Sequence, residues 1–191
     1  MAKALLIVDV QPTFCEGGSL PVEGGNAVAQ RIADYADEYL DNYDLIVTTQ
    51  DWHVDPGEHF AADPDFVDTW PPHGVAGTPE ADLHRALDGI PLDYSVKKGE
   101  YTAAYSGFEG ECPDGTSLAE ILADEGIDEV DVCGLALSHC VKETALDAAK
   151  QDGIHTVRVL EDLTEPVSPE LGEQALEELR AANIQIVNAL N

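Results

Sequence analysis

Positive charge is scarce in this sequence: 9 lysines and arginines stand against 38 aspartates and glutamates, a formal charge of −29 at pH 7. A surface so short of cations repels phosphate backbones and anionic headgroups, which argues against nucleic-acid and membrane partners. Long hydrophobic runs are missing as well. The apolar stretch that starts just after Met1 ends at Asp9, with no cleavage-site pattern and no bilayer-length segment behind it, so neither export signal nor anchor is expected and the expected location is cytoplasmic. Cysteine is sparse: Cys15, Cys112, Cys133 and Cys140 stand at unrelated spacings without a CxxC pair. That excludes a disulfide framework or zinc ribbon and suits reduced thiols. Repeats, low-complexity tracts and linkers are also lacking, so 191 residues with 44% hydrophobic content are expected to form one domain over 1–191.

High charge with little else would mean disorder, but LLIVDV, DLIVTT and VDVCGLAL supply the apolar segments of a folded core. The acids are spread through every segment, a pattern that resembles adaptation to molar salt, where screening suppresses self-repulsion. Residues 4–10 read as a strand buried on both faces, and 26–40 carry apolar side chains at a helical period. Further strands are predicted at 44–50, 94–98, 129–136, 155–160 and 184–187, and further helices near 117–125, 139–151 and 169–182. Mostly alternating strand and helix predict an α/β fold: a three-layer α/β/α domain around a six-stranded, mostly parallel sheet. Residues 52–79 are rich in Pro, Gly, His and Trp with little periodicity, and loops of that length in a compact domain are usually functional.

Ligands of an open parallel sheet bind beyond the carboxyl ends of its strands. Asp9 closes the first strand, Lys98 the third, and Cys140 follows the fourth as a helix begins. A reversal of strand order between the first and fourth strands would make Asp9 and Cys140 neighbours. A cysteine in the first turn of a helix has its thiolate favoured by free N–H groups and the helix dipole, so a lowered pKa is expected for Cys140. Cys133, inside a strand, reads as an apolar filler. Asp9 lies in an apolar run and needs a cationic partner, which Lys98 can supply. The long loop adds Asp51, His53, His59 and His73. A carboxylate with two or three imidazoles suits a divalent transition metal such as zinc, iron or manganese.

DVQPTF at 9–14, DWH at 51–53 with His59 beyond, WPPH at 70–73, KG at 98–99, YSGF at 105–108 and GLALSHCV at 134–141 together resemble the nicotinamidase branch of the isochorismatase-like cysteine hydrolases. The resemblance implies a catalytic triad of Asp9, Lys98 and Cys140, an oxyanion hole at Ala136 and Cys140, and metal ligands Asp51, His53 and His73. His59 is either a fourth ligand or one step removed from the ion. It implies that Phe14, Trp70 and Tyr105 hold a pyridine ring, that Leu135, Ala136 and His139 complete the substrate site, and that the Leu135–Ala136 peptide is cis. The implied reaction is hydrolysis of nicotinamide, a small-molecule substrate, with a divalent metal, zinc first, and no organic cofactor. Gly74, where many relatives have cysteine, and Leu137–Ser138, in place of a Thr-Asp pair, depart from the pattern. Hydrolysis of another small amide, an isochorismatase-like reaction, a silent binding domain and a homo-oligomer remain open alternatives.

Overall fold

The computed structural model describes residues 1–190. The first apolar run forms β1 (Ala2–Val8), and alternate residues face opposite ways: Ala4, Leu6 and Val8 join one core, Leu5 and Ile7 the other. A run that is apolar on both faces is what a central strand requires, and β1 lies between β2 (Leu45–Asp51) and β4 (Ile127–Leu135). β3 (Tyr94–Lys98) borders β2, while β5 (Thr156–Glu165) and β6 (Gln185–Val187) extend the other side. The order is β3-β2-β1-β4-β5-β6 and every pairing is parallel, so the predicted architecture is the observed one.

Helix α1 (Gly25–Tyr39) covers one face, burying Val28, Ala29, Ile32 and Ala36 against Leu5, Ile7 and Cys133. On the opposite face α2 (Leu118–Asp124), α3 (Lys142–Ala148) and α4 (Pro169–Ala181) bury Leu118, Ile121, Leu122, Ala145, Ala175 and Leu179 over Leu6, Val47 and Val132. Ser117 starts α2 with a reciprocal capping box to Glu120, and Ser168 caps α4 ahead of Pro169.

Two expectations change. The helix predicted over 139–151 is shorter: Leu137–Val141 form a π-helical turn and α3 begins only at Lys142. β5 runs past its predicted end because the β4–β5 register shifts between Val132 and Gly134, so that Gly134 pairs with Thr164. The acids that seemed to stop the strand are accommodated in that irregularity, where the Asp162 carboxylate accepts the amides of Ala189 and Leu190.

Candidate active site

The strand order reverses between β1 and β4, and the predicted residues gather at that switch point. Asp9 follows β1 in a left-handed conformation, φ 48°, and its N–H donates to Thr49 O at 3.1 Å, which turns the side chain in toward β2 and β3. Its Oδ1 accepts from the Thr49 hydroxyl at 2.6 Å. Its Oδ2 lies 2.8 Å from the Lys98 ammonium yet receives no well-directed hydrogen bond, which leaves a lone pair free for a proton. Lys98, only 1% exposed, also pairs closely with Asp51 and stands 3.7 Å from the Cys140 sulfur. One ammonium thus links the other two predicted catalytic groups, Asp9 and Cys140, to Asp51 at the start of the histidine-bearing loop. The contact with Asp51 is absent from the sequence reading.

The electrostatics follow from burial. Desolvation raises the Asp9 pKa despite the opposing charge of Lys98. Asp51 stays well below the carboxylate range: burial opposes ionisation, but Lys98, His53 and His73 together outweigh it. Both carboxylates hold Lys98 well above the usual ammonium value. The expected depression of the Cys140 thiol is overturned: burial, with the charges of Asp9 and Asp51, pushes it well above the usual value, against the pull of Lys98. The physical reason is local. Cys140 sits inside the π-helical turn and not at the open N-terminus of α3, and it is 7% exposed. The resting group is therefore a thiol, and attack requires a base.

His53, His59 and His73 are all buried, and one ring nitrogen from each lies within 4.8 Å of the others. His53 Nδ1–H donates to Gly99 O at 2.6 Å and His73 Nδ1–H to Pro71 O at 2.8 Å, so both Nε2 atoms present lone pairs inward. Asp51 Oδ2 lies 3.4 and 3.5 Å from those two atoms. His53 Nε2 and His59 Nδ1 are buried without a partner. His59 is held down to about 4 by burial and by the neighbouring histidines, so its imidazole is neutral near pH 7. Lone pairs and a carboxylate converging with no donor among them fit a divalent cation. Gly99 makes room for this arrangement, since a Cβ there would lie 2.6 Å from the His53 ring.

Of the predicted residues, Phe14, Asp51, His59, Trp70, His73, Tyr105, Leu135, Ala136, His139 and Cys140 line one cavity. Asp9, Lys98 and His53 lie buried behind its wall. The Leu135–Ala136 peptide is cis. The Trp70 indole donates to Tyr105 Oη at 3.1 Å, and the Phe14 ring is 5.7 Å from His73. Sequence reasoning missed Leu20, Pro21 and Val22, from the segment between β1 and α1, together with Ala104 and Val167 in the same lining. It also missed Gln11, whose amide donates to Asp51 O and Ala81 O while its Oε1 accepts the Asp51 N–H, fixing the start of the histidine-bearing loop. The signal in the sequence was its place in DVQPTF, two residues after Asp9, where a glutamine drawn into the core with the strand needs such partners.

Residues 3–189 match the family model described as the isochorismatase domain. The chain is 52% identical to a nicotinamidase/pyrazinamidase of Mycobacterium tuberculosis over 97% of its own length and 98% of that protein. Among solved structures it is similar to the pyrazinamidase of Pyrococcus horikoshii in complex with zinc, at 35% identity and TM-score 0.82, covering 98% of this chain and 99% of that one. A protein of L. infantum in complex with nicotinate matches at 34% identity and TM-score 0.85, covering 98% and 93% of the two chains.

Proposed function

Because this chain belongs to the isochorismatase-domain family, we propose that it is a nicotinamidase that hydrolyses nicotinamide to nicotinate and ammonia through a thioester on Cys140. The observation that carries the reading is the buried contact of Lys98 with Asp9 and the Cys140 sulfur, at a cavity whose wall holds Cys140 together with His59 and His73 of the histidine cluster.

Asp9 takes the thiol proton through its open Oδ2, and the sulfur attacks the carboxamide carbon to give a tetrahedral oxyanion. A raised thiol pKa makes that transfer necessary, and a raised carboxyl pKa lets Asp9 hold the proton afterwards. The backbone N–H groups of Ala136 and Cys140 receive the oxyanion, each donor contributing ~3 kcal/mol to transition-state stabilisation. Asp9 returns the proton to the amide nitrogen as the C–N bond breaks and ammonia leaves. Water then attacks the thioester carbon, Asp9 accepts its proton, and nicotinate departs as the sulfur is reprotonated. Lys98 orients Asp9 throughout and offsets its charge while it is ionised. Phe14, Trp70 and Tyr105 clasp the ring, with Leu135, Ala136 and His139 completing the substrate wall.

Asp51, His53 and His73, with His59 alongside, are the residues that would hold a divalent ion, zinc by the preference of a nitrogen-rich set. Such an ion supplies a Lewis-acidic position for a ring nitrogen or a water.

Cys140→Ala tests the reading. Ammonia release from nicotinamide should fall at least roughly 10,000-fold while fold and bound metal stay unchanged. Turnover surviving in that variant would refute the covalent route.

A further inference from the structure

Ser138 and His139 precede the nucleophile, and the steps above give them no proton to move. The Ser138 Oγ accepts the Val167 N–H at 3.1 Å and lies 2.9 Å from His139 Nδ1. Ser138 is buried, and its hydroxyl hydrogen has no other acceptor among the described residues than that ring nitrogen. A hydroxyl hydrogen withdrawn from water and left unbonded carries the full desolvation penalty, so the hydroxyl donates to Nδ1. The single proton of the neutral ring then sits on Nε2. Burial and the Lys142 charge lower the affinity of His139 for a second proton, which keeps the ring neutral.

That Nε2–H has no acceptor among the described residues, and the ring forms part of the cavity wall beside Cys140. The rings packed on His139 are Trp70, with centroids 5.5 Å apart, and Tyr105, at 6.3 Å. Tyr105 in turn stands 6.1 Å from His59, so it packs against both His139 and the histidine cluster. A pyridine carboxamide with its carbonyl carbon at Cys140 and its ring nitrogen toward that cluster leaves one ring position para to the nitrogen and ortho to the carboxamide. His139 is the imidazole of the cavity wall that stands outside the histidine cluster and directly before the nucleophile in the chain. In nicotinamide this position is a C–H. In the 1,4-diazine analogue, pyrazinamide, it is a nitrogen with an in-plane lone pair.

Building on the amidase reading above, we propose that His139 Nε2–H is a specificity donor for a ring nitrogen ortho to the carboxamide, and that Ser138 is the positioning residue that fixes its tautomer. The pocket thereby distinguishes diazine from pyridine carboxamides at a point remote from the metal loop. The serine is one of the positions where this sequence departs from the Thr-Asp pair of the resemblance. A hydroxyl and a carboxylate differ in what they ask of the adjacent imidazole, because only the hydroxyl has a proton to give.

The test combines spectroscopy of the native, zinc-loaded protein with kinetics of two variants. Nitrogen-15 NMR should find His139 protonated on Nε2 and bare on Nδ1, with the Nε2 resonance moved by pyrazinoate and not by nicotinate. In Ser138→Ala the ratio of kcat/KM for pyrazinamide to that for nicotinamide should fall about 2- to 10-fold, the worth of one neutral hydrogen bond, and Ser138→Thr should restore it. A native ring protonated on Nδ1, or a ratio unchanged in Ser138→Ala while nicotinamide is still hydrolysed, overturns the inference and leaves the amidase reading standing. If the alanine variant does not fold, the NMR of the native protein alone decides. A native protein that hydrolyses neither amide defeats the amidase reading, and the inference with it.

Discussion

Lys98 shows how single residues set this site. An ammonium buried to 1% exposure is tolerable only when opposite charge surrounds it, and here two carboxylates do so. Burial, with the charge of Asp51 added to it, pushes Asp9 up against the pull of Lys98, while Lys98, His53 and His73 keep Asp51 ionised. The excess negative charge lies on the Asp51 side, where a cation belongs. Of the proposed ligands, His53 is the most firmly prepared for it, fully buried and locked by its bond to Gly99 O. His53→Ala should weaken divalent metal by at least ~10-fold, because loss of a mere supporting partner already costs that much. Elemental analysis after dialysis measures it, and a full equivalent of retained metal would place the ion elsewhere. The polar residues of the site were legible in the sequence because their types are costly to bury without purpose: an aspartate ending an apolar run, histidines crowded into an aperiodic loop. The Lys98–Asp51 contact and the raised thiol were not. Both depend on the side-chain geometry and desolvation of a finished fold, and spacing along a chain encodes neither.

At the scale of elements, the site exists because β1 and β4 are neighbours whose following segments diverge, and that adjacency requires a glycine. Gly134 has φ 115°, and a Cβ there would lie 2.1 Å from Val8 O, an atom held in the ladder between the two central strands. Gly134→Ala therefore meets both a backbone conformation that L side chains rarely adopt and a collision that no side-chain rotation relieves. We expect at least ~3 kcal/mol of destabilisation, the magnitude typical of severe core disruption, seen as a lowered midpoint in urea or as loss of soluble protein. A variant of native stability would mean that the strands separate more easily than their packing implies. The parallel sheet and its helices were readable because strand and helix periods alternate along most of the chain. The π-helical turn at Leu137–Val141 was not, since its residues continue the apolar spacing of α3 and only the path from the cis peptide into the helix separates the two. The extension of β5 escaped for a related reason: a strand crossing an irregularity can carry acids that a regular buried strand cannot.

For the whole molecule, the distribution of its few cations matters more than the net charge of −29. Lys3 and Arg158 converge on the buried Asp131, Lys98 serves Asp9 and Asp51, and Arg31, Lys142 and Lys150 hold Glu165, Glu178 and Asp147. Lys97 lies 3.4 Å over the Trp52 ring. Seven of the nine basic residues are thus committed, and most of the 38 acids have no lysine or arginine partner among the described residues. No helix among the described residues is long and apolar enough to cross a membrane. Mutual repulsion over such a surface weakens the compact state, and screening relieves it as the Debye length falls from about 10 Å at 0.1 M salt to about 3 Å at 1 M. Thermal stability should therefore climb steadily between these concentrations, equally for sodium and potassium chloride. Sucrose at matched osmolality should give a smaller gain, since it leaves charges unscreened. The buried Lys98 cluster lies beyond the reach of mobile ions, so kcat at a fixed folded fraction should change little over the same range. A melting temperature indifferent to salt would show that the acids are neutralised within the fold, and it would remove the case for adaptation to molar salt.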